Sequence, residues 1–203
     1  MQKTLVLVDD HRMLLKGVKD YLEENTDWKV LAACSCAKEC LDALKSAAAK
    51  KRLPQIAVID VQLLDQSGIE LAKNIASEYP EIRIAMYSMY DTAVYIAQAK
   101  AASAKGYISK VASEEELVRC IETVYSGGEY FEKKAQSSLS KIEKAAPLFT
   151  KQEKRVFEML LQKKSNEEIA AALFVNLHTI ENYVSNIYDK LCVKSRAELE
   201  SKF

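Results

Sequence analysis

The sequence predicts an α/β domain with a doubly wound parallel sheet, followed by a small all-α unit of four helices. Three observations carry this expectation. Over residues 1–126, five short apolar runs alternate with helix-length stretches, which is the pattern of β-α repeats. A polar stretch, EYFEKKAQSSLSKIEKAAP, occupies 129–147. In 148–203 strand-like runs give way to recurring helix-start signals.

The apolar runs Thr4–Val8, Val30–Ala33, Ile56–Ile59, Ile82–Tyr87 and Gly106–Ile108 read as buried parallel strands. Helices are expected near 11–24, 37–50, 67–78, 91–102 and 113–126. Ser113 with Glu116 predicts a capping box at the start of the last of these, and Gly127-Gly128 stops it. Beyond the polar stretch, Thr150 with Glu153 opens a helix to about Gln162, and Ser165 with Glu168 opens a short one to about Leu173. Asn176 is a good N-cap for a longer helix to about Leu191, and Ser195 with Glu198 starts a last short one. The expected borders are therefore 1–128 for the α/β domain, 129–147 for a linker and 148–203 for a helical unit holding a helix-turn-helix candidate.

Composition narrows the function classes. Of 203 residues, 49% are hydrophobic, enough for packed cores, and the formal net charge is zero, so no global basic signal for nucleic acid exists. Basic and acidic residues number 16 and 19 in 1–130, 4 and 2 in 131–147, and 9 and 8 in 148–203. The asymmetry is weak but has the sign expected of a nucleic-acid-binding C-terminal unit. The first apolar run ends at once in Asp9 and Asp10, and no apolar stretch reaches about 18 residues, so a cytoplasmic protein without membrane association is expected. Five cysteines in such a chain argue for free thiols, and Cys34, Cys36 and Cys40 form the one cluster that could be a metal or redox site.

The chemistry-bearing residues fall at strand ends. Asp9 and Asp10 directly follow the first expected strand and Asp60 ends the third. In an open α/β sheet, ligands bind beyond the carboxyl ends of the strands. Three carboxylates gathered there repel one another unless a cation neutralises them, and hard oxygen donors in a hydrated site suit Mg²⁺. Such a metal could bridge an aspartate and an incoming phosphoryl group. Ser88 ends the fourth strand and could donate to a phosphoryl oxygen, while Lys110 follows the fifth and could pair with it. Tyr107, three residues earlier, could move between exposed and inward positions. The bland alternative is that strand-end aspartates cap helices or face water.

The segments VDD at 8–10, ID at 59–60 with Gly68 eight residues after Asp60, YS at 87–88 and KGYISK at 105–110 resemble the receiver domain of two-component response regulators, over residues 3–126. The resemblance implies a five-stranded sheet of order 2-1-3-4-5 and a phosphoryl group accepted by Asp60 from a sensor histidine kinase docked around His11–Leu15. It implies Mg²⁺ held by Asp10, Asp60 and the backbone carbonyl of Gln62, with Asp9 assisting, and a switch relayed by Ser88, Lys110 and Tyr107. The chain would be no enzyme with a separate substrate, but would take part in its own phosphorylation and dephosphorylation. Leu63 and Leu64 stand where that family usually has Met-Pro, which predicts a less constrained loop. Gln62 and Tyr90 stand at positions that influence phosphoryl lifetime in that family.

In 177–191 the residues Leu177, Ile180, Val184, Ile187 and Leu191 recur at helical spacing as one buried stripe. Glu181, Asn182 and Ser185 then face outward, where Asn can pair with adenine and Glu can accept from cytosine. Lys190, Lys194 and Arg196 lie at the far end as candidate phosphate contacts, and Thr179 completes the set. From pattern alone, a plain helical protein-interaction domain is as good a reading. The motifs SNxEIA, TIxN, SNIYxKL and VKSRAEL in 165–199 resemble the LuxR-type helix-turn-helix of the NarL/FixJ family, with likeness from Leu148 to Leu199. This implies a recognition helix near 177–190, promoter DNA as partner, and phosphorylation controlling dimerisation and DNA binding.

Several positions depart from that pattern. Glu181 stands where lysine is usual and Tyr183 where histidine is common. Gln152 and Arg155 replace the usual arginine and glutamate, predicting a lost internal ion pair, and Lys163 replaces a common glycine, predicting another turn geometry. Two rivals follow: a phosphorylation-dependent protein-interaction module with weak or no DNA binding, favoured by Glu181, and a metal-dependent phosphohydrolase, which would need a second acid in a DxD arrangement after the first strand that is absent.

Overall fold

A computed structural model describes residues 2–90, 93–131 and 145–203. The chain forms two compact units, a sheet with its helices and a set of C-terminal helices. Along residues 3–125, β1 (Lys3–Val8), α1 (Arg12–Asn25), β2 (Trp28–Cys34), α2 (Ala37–Ala49), β3 (Ile56–Ile59), α3 (Gly68–Glu78), β4 (Arg83–Ser88), α4 (Ala93–Ala101), β5 (Gly106–Ser109) and α5 (Glu114–Tyr125) alternate as expected. All pairings are parallel, in the order β2-β1-β3-β4-β5. β3 and β5 are buried throughout, whereas the edge strand β2 alternates buried and exposed residues. The interior strand β3 carries helices on both faces and is apolar throughout, while the edge strand β2 meets water; β5, the other edge, is covered by a bridge to Tyr130. α1 and α5 cover one face through Leu15, Leu22, Leu117 and Ile121, packed with Leu7 and Val58.

The reversal of strand order between β1 and β3 aligns the strand ends. Val8 pairs with Ile59 and Ile59 with Met86, so Asp9 and Asp60 leave the sheet side by side. Ser88 pairs with Ser109, which brings Lys110 next to the same opening.

One expectation is corrected here. Ser113 accepts from the Glu116 amide as an N-cap, but the reciprocal half of the capping box is missing. The sheet unit also continues past Gly128: Tyr130 bridges β5, exchanging main-chain bonds with Tyr107 and Lys105, and Phe131 is buried with Lys100 over its ring at 4.3 Å. The first residues of the polar stretch thus pack on the sheet unit, and its portion 132–144 lies outside the described residues.

The second unit consists of α6 (Lys151–Leu161), α7 (Asn166–Leu173), α8 (Leu177–Leu191) and α9 (Arg196–Lys202). Thr150 with Glu153 and Ser165 with Glu168 form complete capping boxes, and Asn176 caps α8 through the Thr179 amide. Ser195 accepts from the Glu198 amide, but the Glu198 carboxylate takes the amide of Lys194 instead of that of Ser195. Phe157, Leu160, Ile169, Ile180, Ile187 and Leu199 form the core. Leu177, expected in the buried stripe of α8, is 38% exposed; the stripe begins at Ile180.

One further expectation is overturned in this unit. Lys163 adopts φ 61°, the left-handed conformation a glycine would take, so the turn geometry is kept at a steric cost of about 1–2 kcal/mol. The ion pair that the described residues of this unit do show is a different one: buried Glu153 accepts from Lys190 Nζ at 2.6 Å and from the Thr150 amide at 2.8 Å. The Lys190 bond, then that amide, hold the Glu153 carboxyl below the usual glutamate range. This stabilisation is therefore fully present above the ordinary glutamate value of about 4.3 and is lost as pH falls through the lower folded-state value. Glu153→Gln is expected to cost about 1.5–3 kcal/mol at neutral pH. It should also flatten the acid limb of the C-terminal unit's thermal stability, read by calorimetry from pH 7 to 3.

Candidate functional site

The site lies where β1, β3, β4 and β5 end. Asp9 and Asp60 are 6% and 5% exposed, and Ser88 is fully buried. Lys110 Nζ sits between the two carboxylates, 2.6 Å from Asp9 Oδ2 and 2.7 Å from Asp60 Oδ2. Burial pulls the Lys110 ammonium down, but hydrogen bonds to Asp60 and Asp9 outweigh it, and its pKa lies above the ordinary lysine value. Main-chain bonds fix the frame: Asp60 N donates to Val8 O at 2.9 Å, Lys110 N to Ser88 O at 2.9 Å and Asp9 N to Cys34 O at 3.0 Å.

Asp9, Asp10, His11 and Asp60 each offer a ligand atom within 4.8 Å of the others. Asp10 Oδ1 is enclosed and makes no hydrogen bond, although His11 Nδ1 lies 2.9 Å away. A shielded carboxylate oxygen without a donor is costly. One ammonium against three carboxylates leaves an excess of negative charge. Both facts fit a hard divalent cation, and this acidic pocket could bind a metal. Among the described residues this is the group of such ligands that gathers. The cysteines are free, and Cys34, Cys36 and Cys40 do not form a comparable set.

The switch candidates converge on Tyr90. Its amide donates to Ser88 Oγ at 3.2 Å, its carbonyl accepts from the Tyr107 hydroxyl, and its own hydroxyl donates to Gln62 Oε1 at 2.9 Å. Tyr107 is 3% exposed, so it occupies the inward position. The loop after Asp60, expected to be less constrained without the proline, is fastened differently. Gln62 bridges Ser67, and Asp65 caps α2 from outside, accepting from the amides of Ala37 and Lys38 at 3.0 Å each. Ser67 caps α3, and the Gly68 amide donates to Val61 O at 2.8 Å. Sequence reading missed Asp65, because a cap supplied by another loop leaves no local pattern. It took His11 only as part of a docking region, although a histidine directly after paired aspartates is a visible signal.

Residues 5–122 match the model of the response regulator receiver domain. The chain belongs to the response regulators. Its residues 147–202 match a second model, that of the luxR family of bacterial regulatory proteins. The transcriptional regulatory protein MctR of Rhizobium johnstonii is 30% identical over 197 residues, covering 96% of this chain and 90% of MctR. The DNA-binding transcriptional activator DevR/DosR of Mycobacterium tuberculosis is 30% identical over 199 residues, covering 95% and 89%. The solved structure of RcsB from Salmonella enterica serovar Typhimurium, bound to a promoter in the presence of phosphomimetic BeF3−, is similar in fold, with a TM-score of 0.68 at 18% identity over 100% of this chain and 98% of RcsB. These matches favour a receiver with a luxR-type DNA-binding domain over the plain interaction module.

In that second domain of the response regulator, α8 exposes Glu181, Asn182 and Ser185 opposite its buried stripe, and Thr179 is half-buried beside them. Lys194 is exposed. Two of the expected phosphate contacts have partners within the domain. Lys190 is engaged by Glu153, and the Arg196 guanidinium donates to Leu160 O at 3.1 Å and Lys164 O at 2.6 Å, satisfying main-chain carbonyls around the C-terminal end of α6. Both cations thus also contribute to the fold of the domain. No helix among the described residues is long and apolar enough to cross a membrane.

Proposed function

We propose that Asp60 accepts a phosphoryl group from a sensor histidine kinase, and that the aspartyl phosphate promotes dimerisation and promoter binding through the C-terminal domain. One observation carries the reading: a buried carboxylate at a strand end, 2.7 Å from a buried ammonium and beside two more carboxylates, in a chain that also has a luxR-type domain. Asp10, Asp60 and the main-chain carbonyl of Gln62, with Asp9 assisting, would hold Mg²⁺, which when bound screens the charge on a transferring phosphoryl group.

An Asp60 carboxylate oxygen attacks phosphorus as the bond to the donor's imidazole nitrogen breaks. Lys110 then exchanges a carboxylate contact for a phosphoryl oxygen. Ser88, whose Oγ already accepts from the Tyr90 amide, keeps its O–H free to donate to another. Moving Ser88 draws on Tyr90 and, through its carbonyl, on Tyr107. The surface of α4, β5 and α5 repacks, and phosphorylation biases a two-state equilibrium. Kinase docking around His11–Leu15 is supported by an apolar rim at the site's mouth, where Met13, Leu64 and Val111 are 91%, 83% and 78% exposed.

Thr179, Glu181, Asn182, Ser185 and Lys194 are the proposed DNA contacts, with Lys190 and Arg196 as further phosphate contacts at the far end. We place the receiver at 1–131 and the DNA-binding domain at 148–203, working in the cytoplasm. DNA affinity measured across salt, with and without acetyl phosphate and Mg²⁺, tests the switch. Affinity should fall with salt and rise on phosphorylation in wild type but not in Asp60→Asn; the same rise in both would overturn it. Tyr90, its hydroxyl bonded to Gln62 beside Asp60, would hinder an attacking water, so Tyr90→Ala should shorten the phosphoryl lifetime several-fold in a dephosphorylation time course, and an unchanged lifetime would contradict this role.

A further inference from the structure

We propose that α8 reads a C·G base pair, with Glu181 accepting from the cytosine N4 amine and His178 donating to the guanine of the same pair. The inference rests on the DNA-binding reading above and adds to it a base preference and a second residue.

Both side chains are open to solvent, His178 by 80% and Glu181 by 54%, and His178 Nδ1 lies 3.6 Å from Glu181 Oε2. They are three residues apart, hence on one face of the helix, within the first turns after the Asn176 cap. That N-terminal part of a recognition helix is what meets base edges. The electrostatics of the face make the choice. Lys190, the basic residue of the last turn of α8, is occupied by Glu153, and Asp189 beside it is exposed. Glu181 thus presents a carboxylate to a phosphate-lined groove, an arrangement that is repulsive unless the carboxylate meets a donor.

The major groove offers two base donors, cytosine N4 and adenine N6. Adenine N6 stands beside N7, an acceptor that repels the second carboxylate oxygen. Cytosine has no such neighbour on its own edge. Its partner guanine presents O6 and N7, both acceptors. The exposed imidazole of His178 supplies a ring N–H for them. An acceptor and a donor side by side on the helix therefore complement the edge of one C·G pair.

The test selects binding sites from a random double-stranded library with the full chain, phosphorylated by acetyl phosphate and Mg²⁺. Wild type should select cytosine at one position. Glu181→Ala should lose the preference there and keep the others, and Glu181→Gln should move it toward adenine. Replacing that cytosine by thymine, which puts an acceptor where the amine was, should weaken wild type about 10-fold or more and Glu181→Ala by about 2-fold or less. His178→Ala should relax the same position to a smaller degree. If wild type and Glu181→Ala select the same bases everywhere, the proposal is overturned while DNA binding stands. If wild type recovers no sites at any salt, DNA binding falls as well.

Discussion

Lys110→Met should destabilise the receiver domain by about 3–5 kcal/mol at neutral pH without divalent cations. The Lys110 side chain is 4% exposed and sits 2.6 Å and 2.7 Å from the carboxylates of Asp9 and Asp60. A methionine fills similar volume but leaves two like charges buried and uncompensated, and this repulsion sets the size of the effect. The sign with pH follows: protonating either carboxylate relieves the repulsion, so the variant should approach wild type on acidification. Added Mg²⁺ should recover part of the loss, because the cation takes over the neutralising role. Urea unfolding with EDTA and with Mg²⁺ checks both. A variant as stable as wild type in EDTA would mean that the carboxylates are not charged together, and the electrostatic account of the site would fail.

Gly68→Ala should be the most damaging single-methyl change near the site. A Cβ on Gly68 would overlap the carbonyl oxygen of Asp60 and stand 2.8 Å from its carbon, so the backbone of the phosphoryl acceptor must move. The expected loss is about 2–4 kcal/mol, the upper range for point substitutions, with a slower reaction toward acetyl phosphate because Asp60 is displaced from Lys110. Gly17 in α1 supplies the control. Nothing lies within 4 Å of its added Cβ, so Gly17→Ala should stabilise by about 0.5–1 kcal/mol through helix propensity alone. Thermal unfolding of both variants reads the contrast; equal behaviour would show that the close approach at Gly68 carries no weight.

The architecture was largely legible because it rests on local signals. Apolar runs marked β1 to β5, and the pairs Thr150–Glu153 and Ser165–Glu168 started α6 and α7 where expected. Asp9, Asp10, Asp60, Ser88 and Lys110 were legible as strand-end residues, which the sheet order then gathers. What escaped depends on long-range packing. The bond from Glu153 to Lys190 spans 37 residues, and Arg196 reaches carbonyls more than 30 residues away; neither spacing has a period. The pairing of Tyr130 with β5 is a single bridge inside a polar stretch, too short for alternation to show. Lys163 fills a left-handed position where the resembled family commonly has glycine, because packing of the flanking helices overrides the residue's own preference.

The central claim is that Asp60 carries the phosphoryl group. Intact-protein mass spectrometry after treatment with acetyl phosphate and Mg²⁺ tests it most directly. Wild type should gain the mass of one phosphoryl group, sensitive to hydroxylamine as an acyl phosphate is, and Asp60→Asn should gain none. The same adduct in Asp60→Asn, or a wild-type adduct that maps by peptide analysis to another residue, would contradict the account.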